Sequence, residues 1–353
     1  MKKLFNLTLL IVLTSSLLAC KQKKMDEKFQ WEGGASSPAN YPAEPVTVSF
    51  TAVDGTGGGT PSKPISETNT WGYNGISSGG SGEPKLLPVK LDIKWLSYAE
   101  DQFYEGSFTL PYDKMLALFQ KGFEEWVQGD TTRHDNYNTI TAGMAPGGTV
   151  VVWLAGGSYE VEVARFQAHK TKFDLNNFNY DLIDELKLQG AYSKRMLGPE
   201  GVKYIKEHGL PLGLWDTYRE RFNWHPVVRL DQSFKAEPNH LDLVYSNGES
   251  EALFLKSLID NPFGRKARLK EIYIDWDITD PSTHEKKGFW LPIKFNESEM
   301  LKAYAEVYGN DPQQQGELIV DIDRANRYYR CYLLTRGKKV ELKKMQGVIA
   351  TNN

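Results

Sequence analysis

The sequence predicts an α+β protein made of two tandem related units, each an antiparallel β-sheet with one packed amphipathic helix. Three observations lead to this prediction. Short motifs occur twice in the same order, and each set of motifs is followed by an amphipathic helix pattern. Strand-like runs with alternating apolar residues, joined by turn residues, lie on both sides of that pattern. Antiparallel hairpins with a helix on one face define the α+β class. We expect the units at residues 29–170 and 222–346, with a helical connector at 171–221.

The repeat rests on four short motifs that each occur twice. Their positions are residues 29–31 and 222–224, 43–45 and 236–238, 91–95 and 272–276, and 108–111 and 289–292. The spacing between partners changes once along the chain, which indicates an insertion in one loop of the first unit. Trp95 and Trp276 take equivalent places and are predicted to lie in the core.

An amphipathic helix pattern follows the last motif of each set. In the first unit, apolar residues recur at helical spacing after Asp113 and as far as Trp126. In the second, Asn296 with Glu299 three residues later resembles a capping box. Between the units, Gly209 is expected to end a connector helix. Each helix pattern is followed by a predicted β-hairpin, at residues 150–166 and 318–333.

The first twenty residues have the layout of a bacterial secretory signal. Two lysines precede an apolar run at 4–18, and Ala19 stands before Cys20. The run is shorter than the roughly 20 residues that span a bilayer. Its end resembles the lipobox of bacterial lipoproteins, which implies cleavage of a signal peptide at 1–19 and a lipidated tether at 20–28. An ordinary signal peptide with an incidental cysteine is the alternative.

The resemblance to lipoproteins also implies a cellular location. Cys20 would carry diacylglycerol and an N-acyl chain, so the membrane is one predicted partner through this anchor. The residue that follows is Lys21, which by resemblance to the sorting rule of many Gram-negative bacteria favours the outer membrane. We therefore expect a lipid-anchored protein of the bacterial cell envelope.

Composition excludes several classes of protein. The formal net charge of −3 argues against a nucleic-acid binder, which carries a basic excess. Two cysteines are too few for a disulfide scaffold or a zinc site with several thiolates. With Cys20 in the anchor, Cys331 is expected to be a reduced residue in a strand. The six histidines show no pair at metal-ligand spacing and are interpreted as surface or capping residues, so no metal or cofactor is predicted.

One short string matches a catalytic motif. Residues 75–79 satisfy the G-x-S-x-G pattern of serine hydrolases, with Ser77 as the nucleophile. That motif needs a strand before the serine and a helix after it. The surrounding stretch at 54–84 is instead rich in glycine, serine and threonine, which favours a flexible loop. We therefore favour a loop over a nucleophile and keep a hydrolase at the membrane surface only as an alternative.

Four aspartates form the second chemical candidate. Asp275 and Asp277 share one face of a predicted strand, and Asp321 and Asp323 share one face of another. If these faces adjoin, the carboxylates could hold calcium or act as an acid–base pair. A solvated polar face is favoured, because neither strand carries the loop of a calcium site.

Aromatic residues outside the predicted core are candidates for a recognition surface. These candidate binding residues are Trp71, Tyr73, Tyr328, Tyr329 and Tyr332. Aromatic faces can also stack on sugar rings, so a glycan-binding or assembly lipoprotein is a further alternative.

The stretch at 143–154, Gly-Met-Ala-Pro-Gly-Gly-Thr-Val-Val-Val-Trp-Leu, continues to 164–168 and resembles the bacterial lipoprotein family catalogued as domain of unknown function 2931. The resemblance covers about residues 29–170 and consists of turn and strand residues; the second unit departs from it. Some relatives are similar to lipoproteins encoded beside type VI secretion effectors, which implies an immunity role with a protein partner. We expect an envelope-anchored, non-catalytic binding protein, for which the resemblance supplies no functional residues.

Overall fold

The computed structural model describes residues 26–65, 71–73, 75–77, 79, 82–127, 131–174, 190–231, 236–279 and 282–352. The predicted signal peptide and Cys20 lie outside these residues. The described chain is mixed α+β and consists mainly of β-sheet with few helices, as the sequence predicts at this level.

The first half of the chain forms strands around one helix, α1 (Tyr112–Lys121), and a short turn of 3-10 helix at Pro146–Gly148. In chain order the strands are β1 (Lys28–Phe29), β2 (Glu32–Ser36), β3 (Ala43–Thr51), β4 (Gly57–Gly59), β5 (Ile76–Ser77), β6 (Lys85–Leu86), β7 (Lys90–Ser97), β8 (Gln102–Thr109), β9 (Phe123–Val127), β10 (Thr131–Asp135), β11 (Thr139–Ala145), β12 (Thr149–Gly156), β13 (Tyr159–Gln167) and β14 (His169–Thr171).

Two sheets enclose the core of this half. One is antiparallel with the order β14-β8-β7-β3-β4, and the other has the order β13-β12-β11-β2-β5, in which β2 and β11 run parallel. Apolar side chains of both sheets share one core with Met115, Leu116 and Phe119 of α1. Helix α1 therefore packs its apolar stripe onto the sheets, as amphipathic patterning requires.

The second half and the connector contain helices α2 (Ala191–His208), α3 (Leu214–Tyr218), α4 (Leu255–Asp260) and α5 (Glu297–Tyr308). The strands are β15 (Phe222–Arg229), β16 (Glu237–Tyr245), β17 (Ser250–Phe254), β18 (Gly264–Lys266), β19 (Leu269–Thr279), β20 (Lys286–Phe295), β21 (Gly316–Ile322), β22 (Tyr329–Thr335), β23 (Lys339–Leu342), β24 (Met345–Gln346) and β25 (Ala350–Asn352). Their sheets have the orders β20-β19-β16-β17, extended by β24 and β25, and β18-β15-β21-β22-β23, in which β15 and β21 run parallel.

Two edge strands join the halves into one continuous sheet. Strand β13 of the first half pairs with β17 of the second through Glu160 and Ser250. The Ser250 hydroxyl reinforces this pair, because it accepts from the Glu160 backbone N–H at 3.0 Å and donates to the Ser158 carbonyl at 2.8 Å. The junction is therefore held by backbone pairing and by side chains.

The connector packs against the first half through buried polar contacts. Tyr192 of α2 donates to Glu44 at 2.8 Å, and the Ser193 hydroxyl donates to Asp101 at 2.6 Å. Burial raises the pKa of Glu44, whereas the hydrogen bonds that it accepts from Tyr98 and Tyr192 lower it. Gly209 ends α2 as predicted, with its N–H bonded to the Ile205 carbonyl at 2.7 Å.

The predicted end of the first helix was wrong. Helix α1 stops at Lys121, because Gly122 takes a φ of 55° and turns the chain into β9. Trp126 therefore lies in the β9–β10 hairpin. The start of α5 is as predicted, since the Asn296 side chain accepts from the Glu299 backbone N–H at 3.0 Å. The Glu299 carboxylate does not complete the capping box; it accepts from the backbone of residues 343 and 344.

The described parts of the glycine-rich stretch are paired and packed, where the sequence suggests a flexible loop. Strand β4 pairs with β3, β5 pairs with β2, and Ile65 is fully buried in the first core. Glycine is required here for close packing: a Cβ on Gly57 would lie 2.0 Å from the Phe50 carbonyl oxygen, and one on Gly33 would lie 2.8 Å from the backbone of Gly59. At these positions the absence of a side chain therefore serves close packing.

Removal of either Trp95 or Trp276 is expected to cost about 3–5 kcal/mol of unfolding free energy, from lost burial and the cavity left behind. Trp95 and Trp276 are both 0% exposed, and each stacks on a ring of the neighbouring strand. Urea denaturation of Trp95→Ala and Trp276→Ala measures the cost. Tyr328→Ala is the control, since Tyr328 is 74% exposed, and a control loss as large as the tryptophan losses would contradict the prediction.

Candidate functional site

A cleft of about 680 Å³ opens where the two halves and the connector meet. Its aromatic wall contains residues of the first half and of the connector: Tyr41, Trp71, Tyr204, Trp215 and Tyr218. Its opposite wall comes from the second half, around the start of α5 and the strands beside it. A volume in this range suits a small molecule, and concave sites between packed units are common ligand sites.

The aromatic wall is a set of mutually packed rings. Trp71 lies edge-on to Trp153 at 4.9 Å and tilted against Trp215 at 5.4 Å, while Tyr41 lies edge-on to Trp215 at 5.9 Å. Edge-to-face arrangements at these distances are favourable for aromatic pairs. The indole nitrogens of Trp71 and Trp215 have no hydrogen-bond partner among the residues that the structure describes. The wall is therefore rigid and largely apolar.

Glycine lets the halves approach at this wall. Gly72 and Gly248 have φ values of 94° and 84°, which side chains rarely adopt. A Cβ on Gly72 would lie 2.2 Å from the Gly248 carbonyl oxygen. Beside this contact, the Trp153 indole donates to the Asn247 carbonyl at 3.1 Å. The loops of the two halves thus touch backbone to backbone.

Three phenols and one carboxylate converge at the polar end of the cleft. Tyr218 donates a short hydrogen bond to Glu297, and Tyr41 donates to the Gly209 carbonyl at 2.9 Å. Burial, assisted by the nearby Tyr204 and Glu297, raises the pKa of Tyr41 to about 12. Burial also raises the pKa of Tyr218. Both hydroxyls therefore stay protonated at neutral pH and act as donors.

The predicted recognition residues are not on one surface. Trp71 is buried and lines the cleft, whereas Tyr73, two residues later, is 62% exposed. In the last sheet Tyr328 is exposed, Tyr329 packs against the second core, and Tyr332 lies under the Lys339 ammonium at 3.8 Å. Tyr329 and Tyr332 lie three positions apart on β22 and so face opposite sides.

The hydrolase motif lacks its structural context. Ser77 ends the short strand β5, where it is register partner to Gly34. The described residues that follow, Gly79 and those from Gly82 onward, form no helix before β6 begins at Lys85. A nucleophile elbow needs a helix directly after the serine. The described chain therefore does not present Ser77 as an elbow nucleophile.

The four aspartates are not brought together on one sheet. Asp275 and Asp277 are in β19, while Asp321 is in β21 of the other sheet of this half. Asp323 accepts the backbone N–H groups of its own turn, including that of Arg327 at 2.7 Å. Within the described ranges no group of three or more histidine, cysteine or acidic residues is arranged to hold a metal ion.

A polar cluster that the sequence analysis missed surrounds His240. This histidine was expected at the surface but is 9% exposed. Its Nε2 lies 3.3 Å from Asp242 and its Nδ1 lies 3.7 Å from Asp275. The Trp126 ring of the β9–β10 hairpin stacks on the imidazole at 5.2 Å. The pattern His240-x-Asp242, on one face of a strand beside Asp275, was the available signal.

Beside that cluster lies Glu160, a carboxylate whose pKa is strongly shifted. Burial, and the neighbouring Asp242 charge, raise the pKa of Glu160 from 4.5 to about 7. Burial also raises the pKa of Asp242, with His240 acting in the opposite direction. These groups bridge the halves, because Glu160 lies in β13 and Asp242 in β16.

A partly buried ionic network joins the end of the connector to both halves: the acidic partners are 7% and 12% exposed, and the arginines 37% and 34%. Arg219 donates to Glu162 at 2.6 Å, and Arg221 pairs with Glu249 at 2.7 Å. The Lys114 ammonium of α1 donates to the Glu162 carbonyl at 2.8 Å. Loss of either arginine would leave a largely buried carboxylate, Glu162 or Glu249, without its cation, so these pairs help to hold the end of the connector against both halves.

These features define a mixed α+β protein with an aromatic-lined cleft between its halves. Residues 19–213 match the model of the family described as "Protein of unknown function (DUF2931)". The match covers more than half of the chain, so the chain belongs to this family, as the sequence motifs predict. No curated protein and no solved structure matches the chain. Among the helices of the described residues, none combines the length and apolarity needed to cross a bilayer.

Replacement of Glu160 is expected to change how stability depends on pH. The folded protein retains a proton on Glu160 that the unfolded chain releases near its ordinary pKa of 4.5, so wild-type stability falls as pH rises from there to about 7. Glu160→Gln should remove this fall and stabilise the protein by about 1–3 kcal/mol near pH 8, with little effect near pH 4.

Urea unfolding at both pH values measures this difference. Glu285→Gln, at an exposed site, is the control and should keep the wild-type pH profile. An unchanged profile in Glu160→Gln would show that Glu160 ionises normally in the folded protein.

Proposed function

We propose that the chain is a lipid-anchored binding protein of the bacterial envelope, built from two tandem related units, which holds a small ligand in the cleft between them without catalysis. The observation that carries this proposal is the cleft itself. Its volume is about 680 Å³, and both halves and the connector contribute to its walls. Pockets that bury a small ligand commonly have volumes of about 300–1,000 Å³.

The order of the strands supports the tandem units. Strands β8, β7, β3 and β4 have the same order as β20, β19, β16 and β17, and the second sheet of each half contains one parallel pair followed by an antiparallel meander. Each half also has a register shift just after a proline, where Pro45 faces Trp95 and Pro238 faces Trp276. The Trp31 and Trp224 indoles both donate to backbone carbonyls, at 3.1 and 3.0 Å.

Binding without catalysis is supported by the chemistry of the cleft. Its phenols are donors with raised pKa values, and Glu297 already accepts from Tyr218. Ser77 is absent from its lining. An effector protein, the partner that the family resemblance suggests, would enter a cleft of this size only with a few side chains.

A neutral aromatic probe, phenylnaphthylamine, is expected to bind the wild-type protein in the cleft and gain fluorescence there. Asn40 lies on the rim in an exposed turn, so Asn40→Trp should fill the entrance without disturbing the core and should weaken binding at least about tenfold. Fluorescence titration measures the affinity. Asn310→Trp, in an exposed turn away from the cleft, is the matched control. Equal affinities for both variants and the wild type would place the probe elsewhere and contradict the proposal.

Lipidation at Cys20 predicts the cellular location. In a Gram-negative host, Cys20→Ser should leave the membrane fraction, because a polar tether alone does not hold a protein to a bilayer. Gln22→Ser preserves the cysteine and should stay with the membrane. Fractionation and mass spectrometry give the result. A wild-type protein that retains residues 1–19, or that carries an unmodified cysteine, would refute lipidation.

A further inference from the structure

We propose that the ligand of the cleft is an organic anion: an apolar ring or chain that carries one carboxylate, phosphate or sulfonate group. This inference rests on the proposed function, since it takes the cleft as the binding site. The polar group would lie among the lysines of the second half, and the apolar part would lie against the aromatic wall.

The charges of the lining are unequal. Among the described residues that line the cleft, Lys270, Lys294 and Lys344 stand against one carboxylate, that of Glu297. Glu297 already accepts the hydrogen bond from Tyr218, and its effect on Lys270 is Coulombic. The lining therefore has an excess of positive charge that complements an anion.

Lys270 and Lys294 share one carboxylate, and neither ammonium group is close to it. The Lys270 ammonium lies 3.9 Å from Glu271 Oε1, and the Lys294 ammonium lies 4.0 Å from the same oxygen. A charge-assisted hydrogen bond is much shorter, at about 2.7–2.9 Å. One carboxylate thus serves two cations without a close contact to either.

Lys270 has the most to gain from a ligand. Its side chain is 28% exposed, and burial lowers the pKa of its ammonium group. A cation that has lost water without gaining a close partner is unfavourable. A negative group bound at hydrogen-bond distance would replace that lost solvation.

The apolar lining of the cleft argues for an organic rather than an inorganic anion. Trp71 and Trp215 line the aromatic wall, and Phe295 and Met300 line the wall from the second half. A bare phosphate would leave this surface in contact with water. Burial of an apolar group contributes about 25 cal/mol for each Å² removed from water.

Two fluorescent probes with the same ring system test the inference. Anilinonaphthalene sulfonate carries the negative group, and phenylnaphthylamine lacks it. The wild-type protein should bind the sulfonate about tenfold more tightly, and added salt should weaken the sulfonate selectively. Lys270→Met keeps an unbranched side chain of similar shape and removes its charge, so it should lower sulfonate affinity about tenfold while the neutral probe binds as before.

The controls separate this inference from the proposed function. Lys302→Met removes an exposed charge of α5 outside the cleft lining and should change neither affinity, whereas Asn40→Trp should weaken both probes. Failure of both probes to bind would overturn the cleft as a site. Equal binding of both probes, unaffected by Lys270→Met, would overturn the inference that the ligand is an anion and would leave the cleft as a binding site.

Competition identifies the source of the anion. Displacement of the sulfonate by phenyl phosphate supports a soluble ligand, and displacement by vesicles containing phosphatidylglycerol supports a lipid headgroup. Displacement by neither would contradict the proposal.

Discussion

The cleft depends on two backbones that meet with no side chain between them. Gly72 and Gly248 belong to loops of different halves, and both have positive φ values. Because neither carries a Cβ, the Trp153 indole can reach the Asn247 carbonyl, and Trp71 can fill the space beside it. A methyl group at either glycine would force the halves apart. The place of Trp71 in the aromatic wall is therefore tied to this contact.

Local patterns predicted the local elements well. The hairpin of β12 and β13, the amide cap of α5 and the glycine stop of α2 each follow from residues within a few positions of one another. The end of α1 was not predicted, because the apolar periodicity continues through Gly122 into β9. Only the backbone conformation at that glycine interrupts the helix. A periodic pattern does not report a positive φ value.

The candidate site was much less predictable than the fold. Trp71 could be singled out as an aromatic residue in a loop, but its partners Trp153 and Trp215 are distant in the sequence. The lysines of the cleft look like ordinary surface residues until Glu271 is seen to serve two of them. Such sites are made by tertiary contacts between segments, which carry no common sequence pattern.

The first strand has a consequence for what the protein can reach. β1 begins at Lys28 and is fixed to the body by its pairing with β6. From Cys20 to this point the chain could extend at most about 28 Å, at roughly 3.5 Å per residue. With Cys20 anchored in the membrane, as proposed, the segment between the anchor and β1 is shorter than the thickness of the hydrocarbon core, which is about 30 Å. The start of β1 would therefore stay close to the membrane surface, and a ligand or partner would have to reach the protein beside the lipid.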